Sequence, residues 1–466
     1  MSPLVNDVHS ALNPTEVLRV VPVDSLAAAQ EAVAAARAEG AEIAIAGGFH
    51  AMGGQQFRSG GVLLDSRPLD RVLGLDRERG VVEVEAGVQW PGLMRFLEGE
   101  QSDDRSPWAI VQKQSGADRL SIAGSISANA HGRGLDLRPM VADVESLVLV
   151  GPDGEARRCS RTENAELFGL AIGGYGLFGV IVSVALRLRP REKLERVVEE
   201  IALDGLMAAF GSRIDEGYLY GDFQFSTDER SESFLRRGVF SCYRPVDPET
   251  PVPEGQRSLA PEDWEQLILL AHVDKAAAYD TYVGHYLRTS GQVYLSDAHQ
   301  MAEYADGYHA AVDRAMGAVH AASEMITEIY VPRARLVDFM AEVAEDFRRN
   351  DVNLIYGTIR LIRRDEESFL AWARQDFACV IFNLHTVHTP EGERHCAEAF
   401  RRLIDMAIAR GGSYYLTYHR YATREQVERC HPRFAEFLRL KREHDPDGLL
   451  TSDWHAHHER LLAGDR

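Results

Sequence analysis

Ile43-Ala44-Ile45-Ala46-Gly47-Gly48-Phe49-His50-Ala51-Met52-Gly53-Gly54-Gln55-Gln56 is the stretch on which the reading of this chain turns. The apolar run Ile43 to Ala46 predicts a buried strand. It empties into a loop with two glycine pairs around a single histidine, His50. Glycine pairs let backbone approach a ligand closely and turn successive N–H groups into one concavity, which suits a phosphate. Glycine-rich loops after strands are common, so this stretch alone is unspecific.

Two further stretches sharpen it. Ser121-Ile122-Ala123-Gly124-Ser125-Ile126-Ser127-Ala128-Asn129-Ala130-His131-Gly132-Arg133-Gly134 carries small residues at nearly every position, as expected where backbone lies against a flat or extended ligand. Ile172-Gly173-Gly174-Tyr175-Gly176-Leu177-Phe178-Gly179-Val180-Ile181 is again glycine-rich and leads into an apolar strand from Val180 to Leu186. In this order the three stretches resemble the FAD-binding domain of the vanillyl-alcohol oxidase/p-cresol methylhydroxylase (PCMH-type) flavoproteins. The nearest members are aldonolactone/alditol oxidases and cytokinin dehydrogenase-like proteins. The first loop is similar to their Gly-x-His-Ser-x-x-Gly-Gln, with Ala51 in place of the serine. Ala130-His131-Gly132 is similar to the Thr-His-Gly or Ala-His-Gly of the sugar-lactone members. The resemblance covers residues 15–190 well, the C-terminal segment moderately and the middle poorly.

The resemblance implies bound FAD. Gly47, Gly48, Ala51, Gly53 and Gly54 would cradle the pyrophosphate, with Phe49, Met52 and Gln55 in the same loop. Ser121, Gly124, Ser125, Ser127, Asn129 and His131 would line the other side, and Gly179, Val180 and Ile181 would border the adenine or flavin edge. His50 stands where covalent members bond histidine to the flavin 8α-methyl carbon. No cysteine falls in residues 115–125, where doubly linked members carry one, so a single bond is implied.

The chain has 466 residues, for which two domains are the natural expectation. Its 51 Lys+Arg against 71 Asp+Glu leave a formal charge of −20, which argues against nucleic acid or an anionic membrane as partner. Five scattered cysteines give neither a disulfide framework nor a zinc site, and no metal is expected. The N-terminus lacks a signal-peptide pattern and no apolar run suits a bilayer span, so a soluble cytoplasmic protein is expected.

The expected fold is α+β: a PCMH-type FAD-binding domain over residues 1–195, a separate α+β substrate (cap) domain over 196–430, and a return to the first domain over 431–466. Ser25 and Gly40 bracket an alanine-rich helix, and strands are expected at Gly61 to Asp65, Val81 to Gly87 and Val144 to Val150. Past Pro190, Leu203 to Asp215 and Leu336 to Arg349 read as helices. Tyr218 to Phe225, Val239 to Tyr243, Leu354 to Leu361 and Ala378 to Val387 read as strands. No internal repeat stands out. The tail Trp454-His455-Ala456-His457-His458 reads as a solvated end with incidental histidines.

Substrate residues are expected on strands of the second domain. Tyr356, Thr358 and Arg360 share one face of their strand; so do Cys379, Ile381, Asn383 and His385 of theirs; Tyr415, Thr417 and His419 alternate on the stretch from Gly411 to His419. Aldonolactone and alditol oxidases have Glu-x-Arg and Gly-Gly-x-Pro-His-Trp-x-Lys in matching places; here Thr358 replaces the glutamate, and Tyr415 and Tyr418 stand for the histidine and lysine. Oxidising an alcohol needs a base for its hydroxyl proton, for which His419, His385 and Tyr418 are the candidates, while Arg360 would stabilise negative charge. The expected activity is oxidation of a C–OH group of a small hydroxylated substrate to a carbonyl, with O2 or another acceptor. Amine (C–N) oxidation ranks second, because these candidates offer no negative charge. The third reading is flavin binding without turnover.

Overall fold

The computed structural model describes residues 2–301 and 307–463. Met1 and residues 464–466, at the outer ends of the expected first and last segments, and residues 302–306 of the expected cap lie outside the described residues. The chain begins with a two-stranded pair, β1 (Leu4–Val5) and β2 (Thr15–Glu16). There follow β3 (Arg19–Pro22), α1 (Leu26–Glu39), β4 (Ile43–Ala46) and β5 (Val62–Asp65). The Ser25 side chain accepts from the Ala28 N–H at the start of α1, and Gly40 ends it at φ 67°, so both expected punctuation marks act. β3, β5 and β4 form a parallel sheet in that order.

Next come β6 (Val72–Asp76), β7 (Val81–Glu85), α2 (Trp90–Glu100), β8 (Trp108–Ile110) and α3 (Ile122–Ser127), then β9 (Val144–Val150), β10 (Ala156–Ser160), α4 (Ala165–Ala171) and β11 (Val180–Pro190). These strands make a sheet of order β10-β9-β11-β7-β6, with β8 also on β11. α1 packs on it, and Val33, Leu64, Val84, Trp90, Leu147 and Val184 share one buried core.

Beyond Pro190 the chain builds β12 (Lys193–Ala202), α5 (Leu206–Asp215), β13 (Tyr220–Phe225) and β14 (Arg237–Pro245). α6 (Pro261–Val273), α7 (Lys275–Leu287), β15 (Val293–Leu295) and α8 (Tyr308–Met316) intervene. Then follow β16 (Ala322–Pro332), α9 (Leu336–Arg349), β17 (Leu354–Ile362), β18 (Phe377–Val387), α10 (Pro390–Ile408) and β19 (Ser413–Tyr414). The eight-stranded sheet runs β15-β12-β14-β13-β17-β18-β16-β19. About the β13–β17 junction it is a duplicate: β12-α5-β13-β14 and β16-α9-β17-β18 repeat one strand–helix–strand–strand unit. The sequence shows no repeat because burial preserves only a hydrophobic pattern, and α5 and α9 share no side-chain run.

α11 (Arg424–Cys430), α12 (Phe434–His444) and α13 (Asp453–Ala463) complete the chain. Leu450 bridges Ile43, and the Ile43 N–H donates to Leu449 O at 2.7 Å, so the C-terminal segment extends the sheet of β4. Two expectations are corrected here. The tail is helical, with Trp454, His455 and His458 buried, because one face of α13 packs on Phe434 and Tyr175. Only Ser413 and Tyr414 of the 411–419 stretch are strand, since the chain turns away from β16 after two residues. No helix among the described residues is long and apolar enough to cross a membrane.

Candidate active site

A cavity of about 670 Å³ lies between the glycine loops and one face of the eight-stranded sheet. Gly47, Gly48, Phe49, His50, Ala51 and Gln55 line it on the first loop, and Ser121, Gly124, Ser125, Ser127 and His131 on the second. Gly179 and Ile181 border it from the third. A Cβ on Gly47 would stand 2.1 Å from Ser121 Oγ, and one on Gly48 would stand 2.7 Å from Arg119 O. The glycine backbone of the first loop therefore packs directly on the Ser121 side chain and the Arg119 carbonyl, with the cleft running between the two loops. Ser121 Oγ caps Gly124 N, so small polar groups hold the second loop in place. This cleft fits an extended dinucleotide, and the larger space beside it fits a flat ring with a substrate.

Five expected cofactor residues lie outside the cavity lining; Gly54 faces Asn13 and Arg420. Met52 is buried in the hydrophobic core, and Val180, which is the first residue of β11, points into the other core. Gly53 packs against the Gln55 side chain, away from the cavity. Asn129 is fully buried with φ 48°; its Nδ2 donates to Asp365 Oδ2 at 2.9 Å and its Oδ1 accepts from Val141 N at 3.0 Å. It locks the loop to the segment after β17 rather than facing a ligand.

His50 lines the cavity, and its Nδ1 lies 2.9 Å from His9 Nε2. Burial, then the charges of His50 and His309, pull His9 down to about 3, so it is neutral.

On the sheet side, Tyr356, Thr358 and Arg360 of β17 and Ile381 and Asn383 of β18 line the cavity, with Tyr415 and Tyr418 from the segment after β19. Arg360 Nε, Asn383 Oδ1 and Gln224 Oε1 are buried without a hydrogen-bond partner among the described residues. Three orphaned polar atoms on one cavity wall call for polar groups on what occupies it. Tyr415 Oη donates to Ala128 O at 2.6 Å, tying this wall to the second glycine loop. Burial, aided by Glu328, pushes Tyr418 far above the usual phenol range, so it is a donor and not a base.

His419 is corrected. It is buried outside the cavity, stacked on Phe400 with centroids 4.4 Å apart, and its Nε2 is 3.2 Å from Thr327 Oγ1. Burial pulls it down to about 3. His385 is likewise outside the lining; its Nδ1 faces Glu324 Oε1 at 3.5 Å. Cys379 is buried with its sulfur close to His131 and Glu328.

The residues that sequence reasoning missed sit on β16. Register against β18 pairs Glu324 with His385, Ile326 with Asn383 and Glu328 with Ile381, so Glu324 and Glu328 share the cavity face. Glu328 Oε1 lies 2.5 Å from His131 Nε2, both side chains 3% exposed. His131 Nδ1 bonds Gly132 O at 3.0 Å; a carbonyl only accepts, so Nδ1 carries a proton. A further proton is then shared between Nε2 and the carboxylate. Asp222 also lines the cavity beside Arg133, so the expected lack of negative charge is overturned. The available signal was the alternation Glu324, Ile326, Glu328, Tyr330 in a run with strand character.

Residues 17–160 match the family model described as an FAD binding domain. Over 472 aligned residues the chain is 22% identical to the decaprenylphosphoryl-beta-D-ribose oxidase of Mycolicibacterium smegmatis, covering 97% of this chain and 94% of that protein. It is 32% identical over 169 residues to an uncharacterized oxidoreductase in the fasciation locus of Rhodococcoides fascians, covering 36% and 37%. It is 30% identical over 198 residues to the mitochondrial L-galactono-1,4-lactone dehydrogenase 1 of Oryza sativa subsp. japonica, covering 41% and 33%. The chain thus matches about a third of the length of the last two proteins.

Proposed function

We propose that this chain is a PCMH-type FAD-binding flavoprotein, an FAD-dependent oxidoreductase that oxidises a C–OH group of a small, sugar-like substrate to a carbonyl. In this reading residues 1–195 with the return over 431–466 hold the cofactor, and 196–430 form the substrate domain. Gly47, Gly48, Ala51, Gln55, Ser121, Gly124, Ser125, Gly179 and Ile181 hold FAD, with His50 as the residue bonded to its 8α carbon. FAD, when bound, supplies the hydride acceptor. Turnover is completed by O2 or another electron acceptor.

The observation that carries the reading is the buried Glu328–His131 pair on the cavity wall. Its shared proton stays with His131, and the carboxylate takes the substrate's hydroxyl proton, the step alcohol oxidation demands. Arg360 steadies negative charge, Tyr418 donates to the substrate oxygen, and Asn383 and Gln224 accept from its other hydroxyls. Sheet and glycine loops together exclude water from the reacting carbon. A second reading, C–N oxidation of an amine, is favoured by Glu324, Glu328 and Asp222 all lining the cavity.

The test is anaerobic mixing of the yellow protein with a panel of polyols, sugar lactones, glycosyl phosphates and amines, followed at the flavin band. Bleaching by hydroxylated compounds alone supports the first reading, and by amines alone the second. Bleaching by none leaves a flavin-binding protein without turnover.

A further inference from the structure

At the cavity's other end Glu324 gathers three imidazoles from three separate elements. His272 Nε2 of α6 lies 2.8 Å from Glu324 Oε1, His309 Nδ1 of α8 lies 2.8 Å from Oε2, and His385 Nδ1 of β18 lies 3.5 Å from Oε1. The side chains are only 5% exposed for Glu324, 1% for His272, 18% for His309 and 14% for His385. The donor atoms of His272, Glu324 and His385 all fall within 4.8 Å of one another.

We propose that His272, Glu324, His385 and His309 form a binding site for one divalent transition-metal cation of the zinc or cobalt type. Three borderline N and O donors, from His272, Glu324 and His385, suit such an ion, and His309 on the second carboxylate oxygen stands near enough to complete the shell by a side-chain movement. The tautomer of His272 makes the case specific. Its Nδ1 bonds Ile268 O at 2.8 Å, and since a carbonyl only accepts, Nδ1 carries the proton. In a neutral ring, Nε2 then turns its lone pair on a carboxylate oxygen, an arrangement met by a cation shared by the two atoms or by a proton on the ring or the carboxyl. A backbone carbonyl that fixes the distal N–H is also how metal-bound histidines are oriented. The pair at Glu328 differs: it has one imidazole, and its third neighbour is a buried thiol.

The site would act as a clip and take no part in the hydride step. α6 and α8 belong to the excursion between β14 and β16, and Trp264, Leu267, Tyr282 and Tyr286 of this excursion line the cavity. Bound metal would tie α6 and α8 to β16 and β18 and hold that roof over the substrate.

The experiment uses the flavin-loaded full chain, stripped with chelator and dialysed against Co2+ and then Zn2+. The expected result is about one equivalent of metal per chain, visible cobalt d–d bands and a raised melting temperature with Zn2+. His272→Ala/His385→Ala should lose most of the metal, while Glu328→Gln should keep it. Wild-type protein without bound metal would overturn the proposal in favour of a doubly protonated His272 beside the carboxylate. A full equivalent retained by the double variant would also overturn it. Should that variant lose its flavin, His385→Gln replaces it: altered cobalt bands support the site, and unchanged bands overturn it. None of these readouts depends on turnover.

Discussion

His9 Nε2 stands 2.9 Å from His50 Nδ1, a contact that joins the N-terminal arm to the loop after β4. Burial keeps His9 neutral and opposes its protonation, so the contact would orient the His50 ring toward a bound flavin by a hydrogen bond. His9→Ala should therefore slow covalent flavin incorporation while leaving FAD bound. Acid precipitation measures it: wild-type colour stays in the pellet, His50→Ala colour moves to the supernatant, and His9→Ala gives a mixture that shifts to the pellet with time. Colour in the supernatant for wild type would remove the covalent bond from the reading.

Glu328→Gln preserves shape and a hydrogen bond to His131 but cannot take a proton. Flavin content should be unchanged, and the rate of anaerobic flavin reduction by substrate should fall by roughly 10²- to 10⁴-fold. An unaltered rate would place the base elsewhere.

Arg360 and Asn383 carry buried polar atoms without partners, an arrangement that costs stability until substrate supplies the partners. Asn383→Leu should raise KM by about 10-fold and leave the melting temperature equal or higher. Arg360→Gln should cost more in kcat/KM, because a hydrogen bond to a charged group is worth about 1.5–3 kcal/mol.

His419, once a candidate base, is packed between Phe400 and Tyr421 outside the cavity. His419→Ala should lower stability by about 1–3 kcal/mol, read by urea denaturation, with kcat nearly unchanged. A large loss of kcat in folded protein would reverse this placement.

Burial pulls His9, His419, His431 and His458 each down to about 3. Their folded pKa lies below the unfolded value near 6.5, so between the two the unfolded chain binds more protons and stability rises with pH. Burial pushes Asp143 the other way, up to about 7, and the folded state keeps that proton. Histidines outnumber it. Stability should be retained near neutrality and fall as pH drops from about 6.5 toward 3, with a net uptake of protons on unfolding near pH 5. Urea midpoints across that window measure it, and a midpoint independent of pH would mean that these imidazoles are solvated.

The sequence by itself determined the cofactor side. Gly47-Gly48, Gly124 and Gly179 announce themselves because backbone approach demands glycine locally, whatever the rest of the chain does. Ser25 and Gly40 likewise fix the ends of α1 by local hydrogen bonding. Strand pairing brings Arg360 and Asn383 onto one wall, while alternation within β17 and within β18 was legible, because period two is a property of any strand. Alternation could not tell which wall residues face a ligand: His385, in the same alternation, turns to Glu324 instead.

Tertiary structure alone decided the acid–base pair and the histidine cluster. The sequence alone does not distinguish Glu324 and Glu328 on β16 from ordinary solvent-facing charges. They are buried because the second glycine loop brings His131 to within 2.5 Å of one, and α6 and α8 bring His272 and His309 against the other. His131 and Glu328 are separated by 197 residues, and only strand register and the packing of loop on sheet bring them together. Local chemistry writes its signature into neighbouring residues; a contact across the chain leaves none.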